Sequence, residues 1–205
     1  MPINVGIFGN DSSFDNRFIP DYQELTELVT HIKALGISIA LTSGSFDHFH
    51  LGHAMYLEKA REFADLLIVG VDNDDKIRHR KGENRPLFPQ EERLNILIRQ
   101  RSVDIVTLKA LEHQRWELIA AVKPDVLVST KDNYTNSEIE EIEATYGCKI
   151  VVLERQAETS TSAKVRRLNL DMANGFAKEM NKIMPEVIQG VIDSVLGTDH
   201  QGKSQ

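Results

Sequence analysis

The run Ile37-Ser38-Ile39-Ala40-Leu41 leads within a few residues into Gly44-Ser45-Phe46-Asp47-His48-Phe49-His50-Leu51-Gly52-His53. Ala54 to Phe63 follows and reads as a helix. A buried strand that passes through a tight turn into a helix constrains the chain more than any other feature. The helix must pack back on the sheet and return the chain to a parallel neighbour. The turn then lies at the carboxyl end of its strand, where open parallel sheets hold their ligands.

The same alternation continues. Apolar runs at Ala64–Val71, Val103–Leu108, Asp125–Val128 and Lys149–Leu153 read as strands. One-faced or capped stretches at Asp21–Leu35, Gln90–Arg101, Trp116–Val122 and Ser137–Tyr146 read as helices. The fold class expected is α/β: a Rossmann-like three-layer fold on a parallel five-stranded sheet, with a C-terminal helical extension. Residues 1–20 form an arm, with a short apolar run at 3–8 and loop over 9–20. The main domain spans 21–168, the helical extension 169–197, and a polar tail 198–205 is expected to be disordered. Lys76 to Pro89 is charged and broken by Gly82, Pro86 and Pro89, so it is expected to be a mobile loop.

At 205 residues and a formal charge of -7, the chain is one acidic domain with appendages. A general nucleic-acid or membrane-surface binder would be basic, so both classes are disfavoured. A local basic site for a small anion is compatible with this balance. Cys148 is alone, which leaves no internal disulfide and fits a reducing compartment. The N-terminus lacks the charged and apolar regions of a signal peptide, and no apolar run is long enough to span a bilayer. A cytoplasmic location is expected. In the C-terminal extension Leu170, Ala173, Phe176, Ala177 and Met180 make one apolar stripe, and Val187, Ile188, Val191, Ile192 and Val195 another. Packing against the chain's own domain and contact in a homodimer are both open readings.

The turn itself suggests chemistry. A helix start offers unpaired N–H groups and the positive end of a dipole, and both favour phosphate. Gly52 removes the side chain that would hold a phosphate away. His50 and His53 can donate to a polyphosphate as charge develops on it. Two plainer readings compete: surface or capping histidines, and a metal pair, although no cysteine or carboxylate cluster stands beside them.

Leu41 to Asp47 with His50-Leu51-Gly52-His53 resembles the cytidylyltransferase-like nucleotidyltransferase superfamily, in particular the adenylyltransferase domain of ADP-heptose synthase. The likeness covers roughly residues 22 to 168. It also rests on the helix ending at Gly36, on Lys81-Gly82 with Arg85-Pro86, on Lys123-Pro124-Asp125-Val126-Leu127-Val128, and on Thr159-Ser160-Thr161-Ser162. The resemblance implies that an acceptor phosphate attacks the α-phosphorus of a nucleoside triphosphate and releases pyrophosphate. The partners implied are a nucleoside triphosphate and a small phosphorylated acceptor, with Mg2+ shared by the substrate phosphates.

That resemblance and the chemistry together suggest roles. His50, His53 and Lys81 would be catalytic, with Arg78 and Arg80 competing for the place of Lys81. Gly44, Ser45, Phe46, Asp47 and Gly52 would line the nucleotide. Asp47 would orient a histidine or a turn. Arg85, held extended before Pro86, would be a fixed anion contact. Arg93 would bind phosphate or pair with Glu91 or Glu92. Lys59 is expected to face solvent. Arg155, Ser160, Thr161 and Ser162 would supply further phosphate contacts, the hydroxyls doubling as helix caps. Ser129-Thr130-Lys131-Asp132 keeps the aspartate of the family's fourth-strand loop but lacks its glycines, which leaves base and acceptor undetermined. ATP with a sugar 1-phosphate is favoured. CTP with glycerol 3-phosphate, and a nucleotide-binding module without turnover, are the alternatives.

Overall fold

A computed structural model describes residues 13–131, 133–154 and 161–197. Five parallel strands form one sheet: β1 Ile39–Gly44, β2 Leu66–Asp72, β3 Ile105–Lys109, β4 Val126–Thr130 and β5 Lys149–Leu153. Their order is β3-β2-β1-β4-β5. The chain builds outward from β1 to β3 and then crosses to β4 on the other side of β1. The order reverses between β1 and β4, and open parallel sheets hold their ligands at the carboxyl ends of the strands at such a point.

Eight helices accompany the sheet among the described residues: α1 Phe14–Arg17, α2 Tyr22–Ala34, α3 Leu51–Arg61, α4 Asp74–Lys81, α5 Gln90–Ile98, α6 Glu117–Val122, α7 Asn136–Tyr146 and α8 Thr161–Gly197. Strand alternation divides the core in two. Leu41, Ile68, Ile105 and Leu127 pack with Leu25 and Val29 of α2 and Leu118 of α6. Ala40, Leu67, Val69 and Val106 pack with Leu57 of α3 and Leu94 and Leu97 of α5. Every residue of β2 is buried, as a strand covered on both faces must be.

Local chemistry sets the helix ends. The Asp21 carboxylate caps α2 by accepting from Glu24 N at 2.8 Å, and Gly36 ends it at φ +79°. Thr135 and Glu138 form a capping box on α7.

Two expectations are corrected. Asp74–Lys81 is a helix, not the first half of a loop. Only Ile77 is buried in it, so apolar periodicity carries no signal there. Asn73 caps it through Lys76 N at 2.8 Å. Asp74 and Asp75 lie in its first turn and Arg78 to Lys81 in its last, each sign matching the helix dipole. The second correction concerns the stretch before α2. Phe14–Arg17 is a helical turn, Phe18 makes a parallel bridge to Val106, and Ile19 N donates to Val106 O at 2.9 Å. That stretch pairs with the edge strand β3 instead of running as loop. The run at 3–8 and the tail at 198–205 lie outside the described residues.

The chain divides into two compact units between Glu158 and Thr159. The second contains α8, which runs through Pro185 without interruption.

Candidate active site

β1 ends at Gly44, and the next residues fold tightly before α3 begins. Phe46 at φ 47° and His48 at φ 56° both take left-handed backbone, which side chains other than glycine seldom adopt. A turn with two such residues is held by its surroundings.

Asp47 and Arg93 supply much of that holding. The Asp47 side chain is 3% exposed and its Oδ2 accepts from the Arg85 guanidinium at 2.7 Å. Its Oδ1 accepts from Leu87 N at 2.8 Å and Phe88 N at 3.2 Å. Asp47 therefore orients the backbone, and it ties the turn to the segment before α5. Arg85, expected to contact the anion, spends a donor on Asp47. Arg93 is 1% exposed and donates to Ser45 O at 2.6 Å, Asp72 O at 2.9 Å, Phe88 O at 3.0 Å and Asp74 Oδ1 at 2.7 Å. It is a strut joining the ends of β1 and β2 to α4 and α5. The donors with these partners are turned into the protein, and neither Glu91 nor Glu92 is a partner among its bonds.

The histidines occupy the start of α3. His50 is the N-cap, and its Nδ1 accepts from Gly52 N at 3.0 Å. A ring that accepts at Nδ1 carries its proton on Nε2, which leaves His50 a donor at that atom. This cap occupies the Gly52 N–H. The His50 and His53 rings stack with centroids 4.1 Å apart, and Phe46 and Phe49 each lie 5.6 Å from His53. His53 Nδ1 is buried with no hydrogen-bond partner. Burial, then the neighbouring His50 and Lys81, push the His53 pKa down to about 4, so the ring is neutral at pH 7.

Lys81, the last residue of α4, reaches this turn from 36 residues away, with Nζ 3.0 Å from Ser45 Oγ. Burial, then nearby Arg80, lowers its pKa from the usual lysine value. Its competitors are placed elsewhere. Arg78 pairs with Asp75 at 2.6 Å and Arg80 with Asp72 at 2.9 Å. Lys59 is ion-paired with Glu62 on the exposed side of α3, as expected.

Gly44, Ser45, Phe46, Asp47, His50, Gly52, His53, Lys81, Arg85 and Arg93 thus gather around one turn. Asp132, Arg155 and Ser160 lie outside the described residues, and of Thr161 and Ser162 only the backbone, at the start of α8, is described. Sequence reasoning missed Tyr56, whose hydroxyl meets Thr42 Oγ1 at 2.7 Å and Val128 O at 3.1 Å. It stitches β1 to β4, where the strand order reverses. It also missed Asp72 and Lys109, which close the other side of the same edge. A charged residue ending each of two apolar strands was the available signal.

Residues 41–189 match the family described as Cytidylyltransferase-like. The chain is 41% identical over 123 residues to the bifunctional protein HldE of a Nitratiruptor species, covering 60% of this chain and 26% of that protein. It is 36% identical over 161 residues to the HldE of Pelobacter propionicus, covering 78% and 32%. The chain therefore spans about a quarter to a third of these relatives. The lipopolysaccharide core biosynthesis protein of Thermoplasma volcanium has a similar structure, at TM-score 0.52 and 25% identity, over 61% of this chain and all of that one. The pantoate-beta-alanine ligase of Francisella tularensis shares the fold, at TM-score 0.51 and 14% identity, over 71% of this chain and 68% of that one. Among the described residues no helix is long and apolar enough to cross a membrane. With a strand-to-helix turn bearing His50 and His53, a lysine brought onto it, and a match over most of its length, the chain belongs to the cytidylyltransferase-like nucleotidyltransferase family.

Proposed function

We propose that this protein transfers AMP from ATP to a sugar 1-phosphate and releases pyrophosphate. The observation that carries the reading is the delivery of Lys81 onto the β1–α3 turn beside His53. The similarity to the HldE proteins and the likeness to the adenylyltransferase domain of ADP-heptose synthase favour ATP. A structural relative named for lipopolysaccharide core biosynthesis favours a sugar acceptor.

In this reaction an acceptor phosphate oxygen forms a bond to the α-phosphorus. The bond from that phosphorus to the bridging oxygen breaks, and pyrophosphate leaves with the electron pair. A phosphate dianion needs no base to activate it, so the protein's task is alignment and charge compensation. His50 Nε2–H and the His53 ring would donate to the triphosphate. Lys81 would exchange the Ser45 hydroxyl for a phosphate oxygen and offset charge on the leaving group. The fixed Phe46–His48 turn keeps these donors in place before substrate arrives.

Mg2+ would enter as an ion carried by substrate. Asp47 and Asp72 are already ion-paired with Arg85 and Arg80, and no three-residue metal cluster occurs among the described residues. The ion's ligands would be phosphate oxygens and water, where it would neutralise phosphate charge.

Pyrophosphate release tests the reading. ATP, CTP, GTP and UTP, each with Mg2+, are combined with heptose 1-phosphate, other sugar 1-phosphates and glycerol 3-phosphate. Release with ATP that requires a sugar 1-phosphate is expected. Release only with CTP and glycerol 3-phosphate would replace both substrates. Nucleotide binding with no release in any combination would leave a binding module.

A further inference from the structure

Lys109 takes no part in the steps above, yet its ammonium reaches Ser43 near the carboxyl end of β1. It is the last residue of β3 and lies in register with Asp72, the last residue of β2. Strand alternation puts both side chains on the sheet face that packs α2 and α6, opposite α3. The Lys109 stem crosses Gly70, where a Cβ would come within 3.1 Å of its Cδ and 2.4 Å of Leu118. The lysine's path thus depends on a position with no side chain.

Its charge is poorly compensated. The side chain is 26% exposed, and Nζ donates to the neutral Ser43 hydroxyl at 3.1 Å. The nearby carboxylate, Asp72, is 3.9 Å away and already holds Arg80 at 2.9 Å. Burial lowers the Lys109 pKa from the usual lysine value, with Asp72 opposing and Lys76 and Arg80 adding to the shift. A mostly buried ammonium with a hydroxyl partner and a shared, distant carboxylate has capacity for an anion.

The arrangement repeats that of Lys81. Ser43 and Ser45 lie two residues apart, and each holds one lysine by its hydroxyl. One lysine arrives from α4 and the other from β3. A transfer between two phosphates needs two neighbouring anion sites. We propose that Lys109 binds the acceptor's phosphate, leaving Ser43 for a phosphomonoester dianion as Lys81 leaves Ser45 for the triphosphate. Lys109 is then a specificity residue that selects acceptors with a terminal phosphate. This rests on the nucleotidyltransferase reading.

The test uses the wild-type chain labelled with 13C-lysine. The Lys109 and Lys81 side-chain signals are assigned with K109R and K81R. Inorganic phosphate is the acceptor-side probe, and α,β-methylene-ATP with Mg2+ is the nucleotide-side probe. Phosphate should move the Lys109 signal, and should still do so with the nucleotide analogue at saturation, while the analogue moves Lys81. No response of Lys109 to phosphate, or one abolished by the analogue, would overturn the proposal. In kinetics with the productive pair, Lys109→Met should raise the acceptor KM by about tenfold or more, the worth of one charge-assisted hydrogen bond. The nucleotide KM should stay within about twofold. An unchanged acceptor KM would also overturn it. Absence of pyrophosphate release from the wild type would sink the nucleotidyltransferase reading instead, and the phosphate titration would still decide the role of Lys109.

Discussion

The two faces of the sheet meet the carboxyl edge with different chemistry. On the α3 face the donors are stacked rings, and burial keeps His53 neutral at pH 7. On the α2 and α6 face the donor is an ammonium on a strand end, held by a hydroxyl. A neutral ring becomes charged only when an anion arrives to favour it, whereas an ammonium attracts from the outset. The first suits a triphosphate whose charge moves during the reaction. The second suits an acceptor that must be drawn in against the charge of a bound nucleotide. The comparison teaches that the histidine turn combines responsive rings with the Lys81 ammonium, while the α2 and α6 face carries the strand-end ammonium of Lys109.

The sharpest way to break this division is to remove the ring. His53→Ala should lower kcat by about 10²–10³-fold, the range for losing one preorganised donor to developing charge. The acceptor KM should stay near its wild-type value, because the α2 face is untouched. Steady-state kinetics with both substrates varied would check it. A rise in acceptor KM matching the fall in kcat would mean that the two faces do not act separately.

A second substitution tests what holds the histidine face in shape. Asp47→Asn keeps the volume but removes the charge facing Arg85, whose side chain is 19% exposed. It leaves a largely buried guanidinium without its ion partner, and stability should fall by about 2–4 kcal/mol. Urea unfolding measures this. The phosphate response of Lys109 should survive, since the Asp47 carboxylate binds Arg85, Leu87 and Phe88, on the segment that leads into α5.

How far the sequence disclosed all this follows from how local each cause is. The five strands are apolar runs, buried in β1 to β4 and partly so in β5, and Gly36 and Gly147 stop their helices by a backbone conformation written in one residue. The turn from Gly44 to His53 was legible for the same reason. α4 was not, because it is stabilised by a cap and by charge order, with one buried residue. The bonds of Arg93 were not legible because its partner Ser45 is 48 residues away. Lys109 was passed over because Ser43 is 66 residues away, and a charge at the end of an apolar strand does not say which partner it reaches. Long-range polar contacts leave no period, and here they decide which charged residues stay available for substrate.

The smallest effect sharpens the comparison through protons. His53 has a pKa of about 4 in the folded, empty protein, against the usual 6.5 for an unfolded histidine. Between these values the unfolded chain binds more protons, so stability is whole above about pH 6.5 and declines as pH falls towards 4. The full shift would be worth about 3 kcal/mol, and partial solvation of the ring reduces this to on the order of 1–2 kcal/mol. Chemical unfolding at stepped pH should show that loss, and His53→Phe should remove it. A bound polyphosphate reverses the sign, because an adjacent anion raises the histidine pKa. Nucleotide binding should therefore take up protons near pH 5–6 and tighten as pH falls through that window. Calorimetry in two buffers of different ionisation enthalpy measures the uptake directly. Inorganic phosphate bound beside Lys109 lies on the α2 face, away from the His53 ring, so it should bring no proton uptake by His53. Equal uptake for both ligands would show that the two faces share one anion site.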